Sequence, residues 1–160
     1  MRTKIQTLAN LTAIRRRLRR AGRRVVLTNG CFDLLHPGHV EYLETAKSFG
    51  DVLVVALNSD RSVRTLKGAG RPIMPQRARA GLLAGLAAVD HVVIFNGTRA
   101  TRVMRALEPD VYVKGGDYTV GTLDAEERSA LEGCGARIKL VKFKAGYSTS
   151  AIIARIKRAR

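Results

Sequence analysis

The sequence predicts one doubly wound α/β domain over residues 1–160, a parallel sheet of five strands with helices on both faces. Three observations predict it. Short β-branched runs alternate with helix-period segments along the whole chain. One run, Val52 to Leu57 (VLVVAL), is apolar without a break, as expected for a strand covered on both faces. No internal repeat or low-complexity linker divides the chain, and the links between elements are short.

In order, residues 5–20 read as an amphipathic helix. Leu8, Leu11, Ile14 and Leu18 form one stripe, and Arg15, Arg16, Arg19 and Arg20 lie mainly off it. Gly22 closes this basic N-terminal segment, 1–22, and the core follows over 23–160. Arg24 to Thr28 is a strand that runs into the turn-forming pair Asn29-Gly30. Pro37 suits the first turn of a helix, where its missing N–H costs nothing, so a helix runs to about Phe49. Gly50-Asp51 ends it before strand 52–57. A charged loop from about Leu66 to Gln76 leads to a helix over 77–88 and a strand over 91–95. A helix over 98–107, a strand over 110–114, a helix over 123–132, a strand over 137–141 and a last helix from about Thr149 complete the chain. In such sheets ligands bind beyond the strands' C-terminal ends, where the strand order reverses.

The net charge of +16 belongs to the ends. Nine of 29 Lys and Arg lie in residues 1–24 and eight in 135–160, with no acid in either stretch; the remaining twelve face all thirteen acids in between. Basic ends can neutralise nucleic-acid phosphates, but no aromatic stripe interleaves them for base stacking, and two solvated basic helices explain the pattern as well. Nucleic acid is therefore not the expected partner. No apolar run approaches the ~18–20 residues of a membrane helix, and no secretory signal is visible. Two cysteines, Cys31 and Cys134, make no disulfide framework and point to the reducing cytoplasm.

The chemistry concentrates in TNGCFDLLHPGH, residues 28–39, between a strand end and a helix start. There, free backbone N–H groups and the positive end of the helix dipole converge on one spot, which favours an anion. Gly30 permits close backbone approach to a phosphate, and Gly38 keeps the first helical turn uncrowded. His36 and His39, three apart, project from one side of that turn and can donate to phosphate oxygens. Cys31, His36 and His39 are zinc-ligand types, but a fourth ligand and a Cys-x-x-Cys pair are missing, so no protein-held metal is expected. Neither the dinucleotide fingerprint Gly-x-Gly-x-x-Gly nor a Walker A Gly-Lys-Ser/Thr is present.

HPGH at 36–39 resembles the His-x-Gly-His signature of the nucleotidyltransferase superfamily. Asn58-Ser59-Asp60, LKGAGRPI at 66–73, KGGDY at 114–118 and GYSTSAII at 146–153 resemble the branch whose adenylyltransferases make ADP-heptose from D-glycero-β-D-manno-heptose 1-phosphate. The resemblance covers about residues 22–157. It implies a Rossmann-like fold, ATP and a sugar 1-phosphate as substrates, Mg²⁺ carried by the nucleotide, and a homodimer. It implies catalytic roles for His36 and His39. Thr28, Asn29, Gly30, Cys31, Phe32, Asp33, Lys114, Gly116, Asp117, Tyr147, Ser148, Thr149 and Ser150 would bind nucleotide. Asp60, Lys67, Arg71 and Arg79 would serve the substrate phosphates, the three cations as mobile groups. Relatives that make a CDP-alcohol from glycerol phosphate carry Gly-Asp-Asp-Trp near 115–118 and an Arg at the position of Phe143. This chain has neither, which favours adenine over cytosine. A cytidylyl- or adenylyltransferase for glycerol 3-phosphate, ethanolamine phosphate or FMN is the alternative within the enzyme class. A non-catalytic nucleic-acid module is the alternative outside it.

Overall fold

A computed structural model describes residues 2–116, 119–142 and 146–159. Six strands form one parallel sheet: β1 (Ile5–Gln6), β2 (Val25–Gly30), β3 (Val52–Asn58), β4 (His91–Phe95), β5 (Val111–Gly115) and β6 (Arg137–Val141), in the order β1-β4-β3-β2-β5-β6. The five expected strands are all present. The sixth is an addition: Ile5 and Gln6, expected to open a helix, instead pair with Val92 and Val93. Among the described residues, seven α-helices connect or flank the strands: α1 (Leu8–Arg20), α2 (Pro37–Lys47), α3 (Asp60–Lys67), α4 (Gln76–Gly85), α5 (Thr101–Leu107), α6 (Ala125–Gly133) and α7 (Thr149–Arg158). Helix α3 is also an addition, and it takes the first residues of the expected charged loop.

Period-2 alternation builds two cores, one on each face of the sheet. Val25, Leu27, Val54 and Tyr112 point to α1, α5 and α6, where Leu11, Val103, Met104, Leu107 and Leu131 meet them. Val26, Leu53, Val55 and Val113 point the other way, onto Tyr42, Leu43 and Ala46 of α2 and Ala80 and Leu83 of α4. The fully buried β3 confirms the reading of its apolar run. Edge strand β6 exposes Arg137 and Lys139, and such charges discourage pairing with another chain.

Helix α1 ends where expected. The N–H of Gly22 reaches the carbonyl of Arg19, and that of Arg23 reaches Leu18, the paired bonds of a Schellman stop. Its arginines are not all on the solvent side, however. Arg15 is 5% exposed and donates to the carbonyls of Leu107 (3.0 Å) and Glu108 (2.8 Å) and to Asp110 Oδ1 (3.0 Å). Those carbonyls end α5, so the buried guanidinium satisfies helix-end groups that would otherwise lack partners. Arg19 and Arg23 pair with Glu108 and Asp51. Among the described residues, no helix is long and apolar enough to cross a membrane.

The sheet positions the site. From β2 the chain moves outward to β3 and β4, then returns to place β5 on the other side of β2. The segment after β2, residues 31–36, therefore lies at the point where the strand order reverses, at the C-terminal edge of the sheet.

Candidate active site

A cavity of about 430 Å³ opens at that edge, lined from β2 and its following loop by Asn29, Gly30, Cys31, Phe32 and Asp33. Helix α2 contributes His39 and Tyr42, β3 contributes Asn58, and the end of α3 with its following loop contributes Leu66, Lys67 and Arg71. Thr98, Lys114, Gly115, Thr149 and Ser150 close the ring.

His36 and His39 are brought together. Their rings stack at 3.8 Å between centroids, inclined by 21°. Phe32 tilts against His39 at 5.3 Å, and Tyr147 lies parallel to His36 at 6.3 Å. Pro37 stands at the first position of α2, as its ring requires. At Gly38, a Cβ would come within 3.2 Å of His36 Nδ1 and 3.4 Å of Tyr147 Cβ, so the missing side chain makes room for the ring stack. Burial lowers the pKa of His36. At His39, burial and then the neighbouring His36 charge lower it to about 4, against a smaller upward pull from the Leu34 backbone. Both shifts favour the neutral ring, which carries one N–H and one lone pair, and at His39 the Leu34 backbone already takes part in a hydrogen bond.

Helix α7 points its N-terminus at the same space. Ser148 caps it, accepting from the N–H of Ala151 at 3.0 Å, and Thr149 Oγ1 donates to the Leu34 carbonyl at 3.4 Å. The capping hydroxyl is thus occupied, while Thr149 and Ser150 line the cavity. Asn29 Oδ1 accepts from Tyr112 Oη (2.6 Å) and Lys114 Nζ (3.4 Å), which fixes the β2 and β5 ends side by side. Gly116 follows β5, whereas Asp117 lies outside the described residues.

Several expected ligand-binding residues are instead fastened to the protein. Thr28 is fully buried and hydrogen-bonded to Tyr42 Oη (2.7 Å), which donates onward to the Val113 carbonyl, so it braces α2 against the sheet. Asp33 lines the cavity, but its carboxylate accepts from Arg71 Nε and from the N–H groups of Ile73 (2.8 Å) and Met74 (3.0 Å). Burial alone would raise its pKa; the Met74, Ile73 and Arg71 hydrogen bonds outweigh that and hold it below the usual carboxylate range. Arg79 is not a mobile cation. It is 0% exposed and donates to Met74 O (3.0 Å), Cys31 O and Asp60 Oδ1 (2.8 Å). Asp60 is thereby turned from the cavity to the protein. Lys67 is exposed at the rim and makes no ion pair among the described residues, and Arg71 reaches the cavity from its strap on Asp33.

Sequence reasoning did not single out Tyr42, Asn58, Leu66 or Thr98 as lining residues. Asn58 carried a signal, a polar residue ending an otherwise apolar strand at the ligand-binding edge. Cys31 sits half-buried with its thiol pushed up by burial, an effect that Lys67, Arg79 and Arg71 oppose.

A cytidylyltransferase-like family model matches residues 27–155. The bifunctional protein HldE of Geotalea uraniireducens (strain Rf4) is 51% identical over 154 residues, covering 96% of this chain and 31% of that protein. HldE of Koribacter versatilis (strain Ellin345) is 50% identical over 151 residues, 94% of this chain and 30% of that one. The chain thus spans under a third of the length of these curated relatives. Among solved structures, the lipopolysaccharide core biosynthesis protein from Thermoplasma volcanium GSS1 superposes with a TM-score of 0.63 at 30% identity, over 77% of this chain and 98% of that one. Pantoate-beta-alanine ligase from Francisella tularensis shares the fold, with a TM-score of 0.59 at 13% identity over 96% of this chain and 76% of that one. The family match runs from β2 into α7 and so takes in the imidazole pair, the cationic rim and the closing helix, and the chain belongs to the cytidylyltransferase-like family of nucleotidyltransferases.

Proposed function

We propose that this chain transfers AMP from MgATP to D-glycero-β-D-manno-heptose 1-phosphate, giving ADP-heptose and pyrophosphate. The observation that carries the reading is one cavity that gathers an imidazole, a helix N-terminus and two cations. His39, against which the His36 ring stacks, lines it together with Thr149 and Ser150 at the start of α7 and with Lys67 and Arg71. Adenine and the heptose come from the motif resemblance and from the HldE relatives.

A phosphate oxygen of the acceptor attacks the α-phosphorus of ATP in line. The bond from the α-phosphorus to its bridging oxygen breaks, and the electron pair leaves with pyrophosphate. The nucleophile is already an anion, so no general base is needed, and positioning with charge stabilisation carries the catalysis. His36 and His39 donate to phosphate oxygens on which charge builds, and the N–H groups of α7 act alongside them. Lys67 and Arg71 hold acceptor phosphate. Mg²⁺ is part of the substrate, bound to the triphosphate. In support, Asp33, the acid lining the cavity among the described residues, has its carboxylate committed to Arg71 and two backbone N–H groups.

The reading places the reaction in the cytoplasm, where thiols such as the free Cys31 and Cys134 stay reduced. It also takes the homodimer implied by the resemblance, which light scattering on the purified chain checks. Pyrophosphate release with Mg²⁺ tests the function itself, using ATP or CTP against heptose 1-phosphate, glycerol 3-phosphate, ethanolamine phosphate and FMN. ATP with heptose 1-phosphate should be the fastest pair. Preference for CTP with glycerol 3-phosphate, or nucleic-acid binding without any pyrophosphate release, would overturn the proposal.

A further inference from the structure

The side chain of Asn58 is 2% exposed, yet it lines the cavity from the end of β3. Its hydrogen-bond network fixes which way the amide points. The hydroxyl of Ser62 donates to the carbonyl of Gly97, which can only accept. Ser62 Oγ has then given its proton away and must accept from Asn58, so the NH₂ group faces Ser62 at 2.7 Å, with Gly97 O at 3.4 Å. The opposite orientation would set two acceptors against each other there. Asn58 Oδ1 consequently lies on the cavity side, where its neighbour is the Cys31 thiol at 4.0 Å, a weak donor at the limit of bonding distance.

A nearly buried carbonyl oxygen without a strong donor is a demand for one from a ligand. An anionic phosphate oxygen cannot supply it; a hydroxyl can. Asn58 lines the same cavity as Lys67 and Arg71, whose charges also act on the thiol beside it. Thr98, exposed and also lining the cavity, adds a second uncharged group.

We propose that Asn58 Oδ1, locked in orientation by Ser62 and Gly97, accepts a hydrogen bond from a hydroxyl of the phosphorylated acceptor and selects polyol or sugar phosphates over acceptors lacking that hydroxyl. This rests on the nucleotidyltransfer reading above and extends it to the acceptor's chemistry. The ribose of the nucleotide is the other possible source of a hydroxyl, and the experiment separates the two.

Pyrophosphate release is measured for the wild type and for N58A with MgATP and a set of sugar 1-phosphates, each missing one hydroxyl, and again with 2′-deoxy- and 3′-deoxy-ATP. Wild type should prefer the intact sugar over one deoxy analogue by roughly 10- to 100-fold in kcat/KM, and N58A should reduce that preference to within about threefold. The deoxy-ATP preferences should be the same in both proteins. S62A, which frees the amide to rotate, should raise the KM for the sugar phosphate severalfold while MgATP affinity by calorimetry stays at the wild-type value. An undiminished sugar preference in a folded N58A that binds MgATP overturns the inference. So does a preference that collapses for deoxy-ATP instead. Wild type that releases no pyrophosphate with any acceptor sinks the nucleotidyltransfer reading itself, a different failure from either of these.

Discussion

Asp33 holds Arg71 and the next turn of chain at once: its carboxylate takes Arg71 Nε together with the N–H groups of Ile73 and Met74. A residue from the loop after β2 thus sets the position of a cation contributed from beyond α3, 38 positions away. These bonds join the strap directly to the segment after β2.

Replacing Asp33 by Asn keeps the shape but removes the charge and one acceptor site. The Arg71 guanidinium is released, and the KM for the acceptor phosphate should rise roughly tenfold or more, on the scale of a lost charge-assisted hydrogen bond. The KM for MgATP should change much less. Initial rates with each substrate varied in turn check this, and an unchanged acceptor KM removes Asp33 from its positioning role.

Arg79 and Lys67 should separate cleanly. Arg79→Met strands Asp60 and the carbonyls of Cys31 and Met74, and breaking a buried pair from one side costs about 3–5 kcal/mol of stability. Lys67→Ala, at an exposed site without an ion pair among the described residues, should stay within about 0.5 kcal/mol yet weaken acceptor binding. Urea unfolding beside steady-state kinetics reads both.

The imidazole pair makes stability depend on pH. His39 titrates near 4 when folded and near its ordinary value when unfolded, so between those points the unfolded chain binds the extra proton. Its contribution is fully present above about pH 6.5 and is lost as pH falls towards 4. At ~1.4 kcal/mol per pH unit, the loss is on the order of 2–3 kcal/mol for this partly exposed ring. Unfolding midpoints at pH 7.5 and 5.0 should differ for the wild type and differ less for His39→Asn.

Polyphosphate reverses that bias, because an anion beside neutral rings favours their protonation. MgATP binding near pH 6 should therefore take up protons and tighten as pH falls. Calorimetry in buffers of different ionisation heat measures the uptake, and it should shrink in H39A. Zero uptake in the wild type would place the triphosphate away from the rings.

Much of this molecule was readable in advance. The five longer strands carry their own apolar or β-branched runs, and Pro37 with Gly38 announced the start of α2. Strand β1 was not readable, because two residues have no period and Ile5–Gln6 became a strand only by pairing with β4. Helix α3 buries Ser62 and Val63 beneath a charged surface, so its apolar signal is faint, although Ser59 before Asp60 was a capping signal. Arg15 reads as lying off the apolar stripe, the usual place for arginine, and Arg79 as a mobile cation for the substrate phosphates. Their burial depends on acceptors such as Leu107 O, 92 positions from Arg15, and Cys31 O, 48 from Arg79, which no local pattern encodes.

The most direct test of the account is the rate of pyrophosphate release from MgATP and heptose 1-phosphate by wild type, H36A and H39A, with folding checked by circular dichroism. Each variant should lose roughly 10²–10³ in kcat, the scale for removing one transition-state donor. Folded variants that both turn over within twofold of the wild type would contradict it.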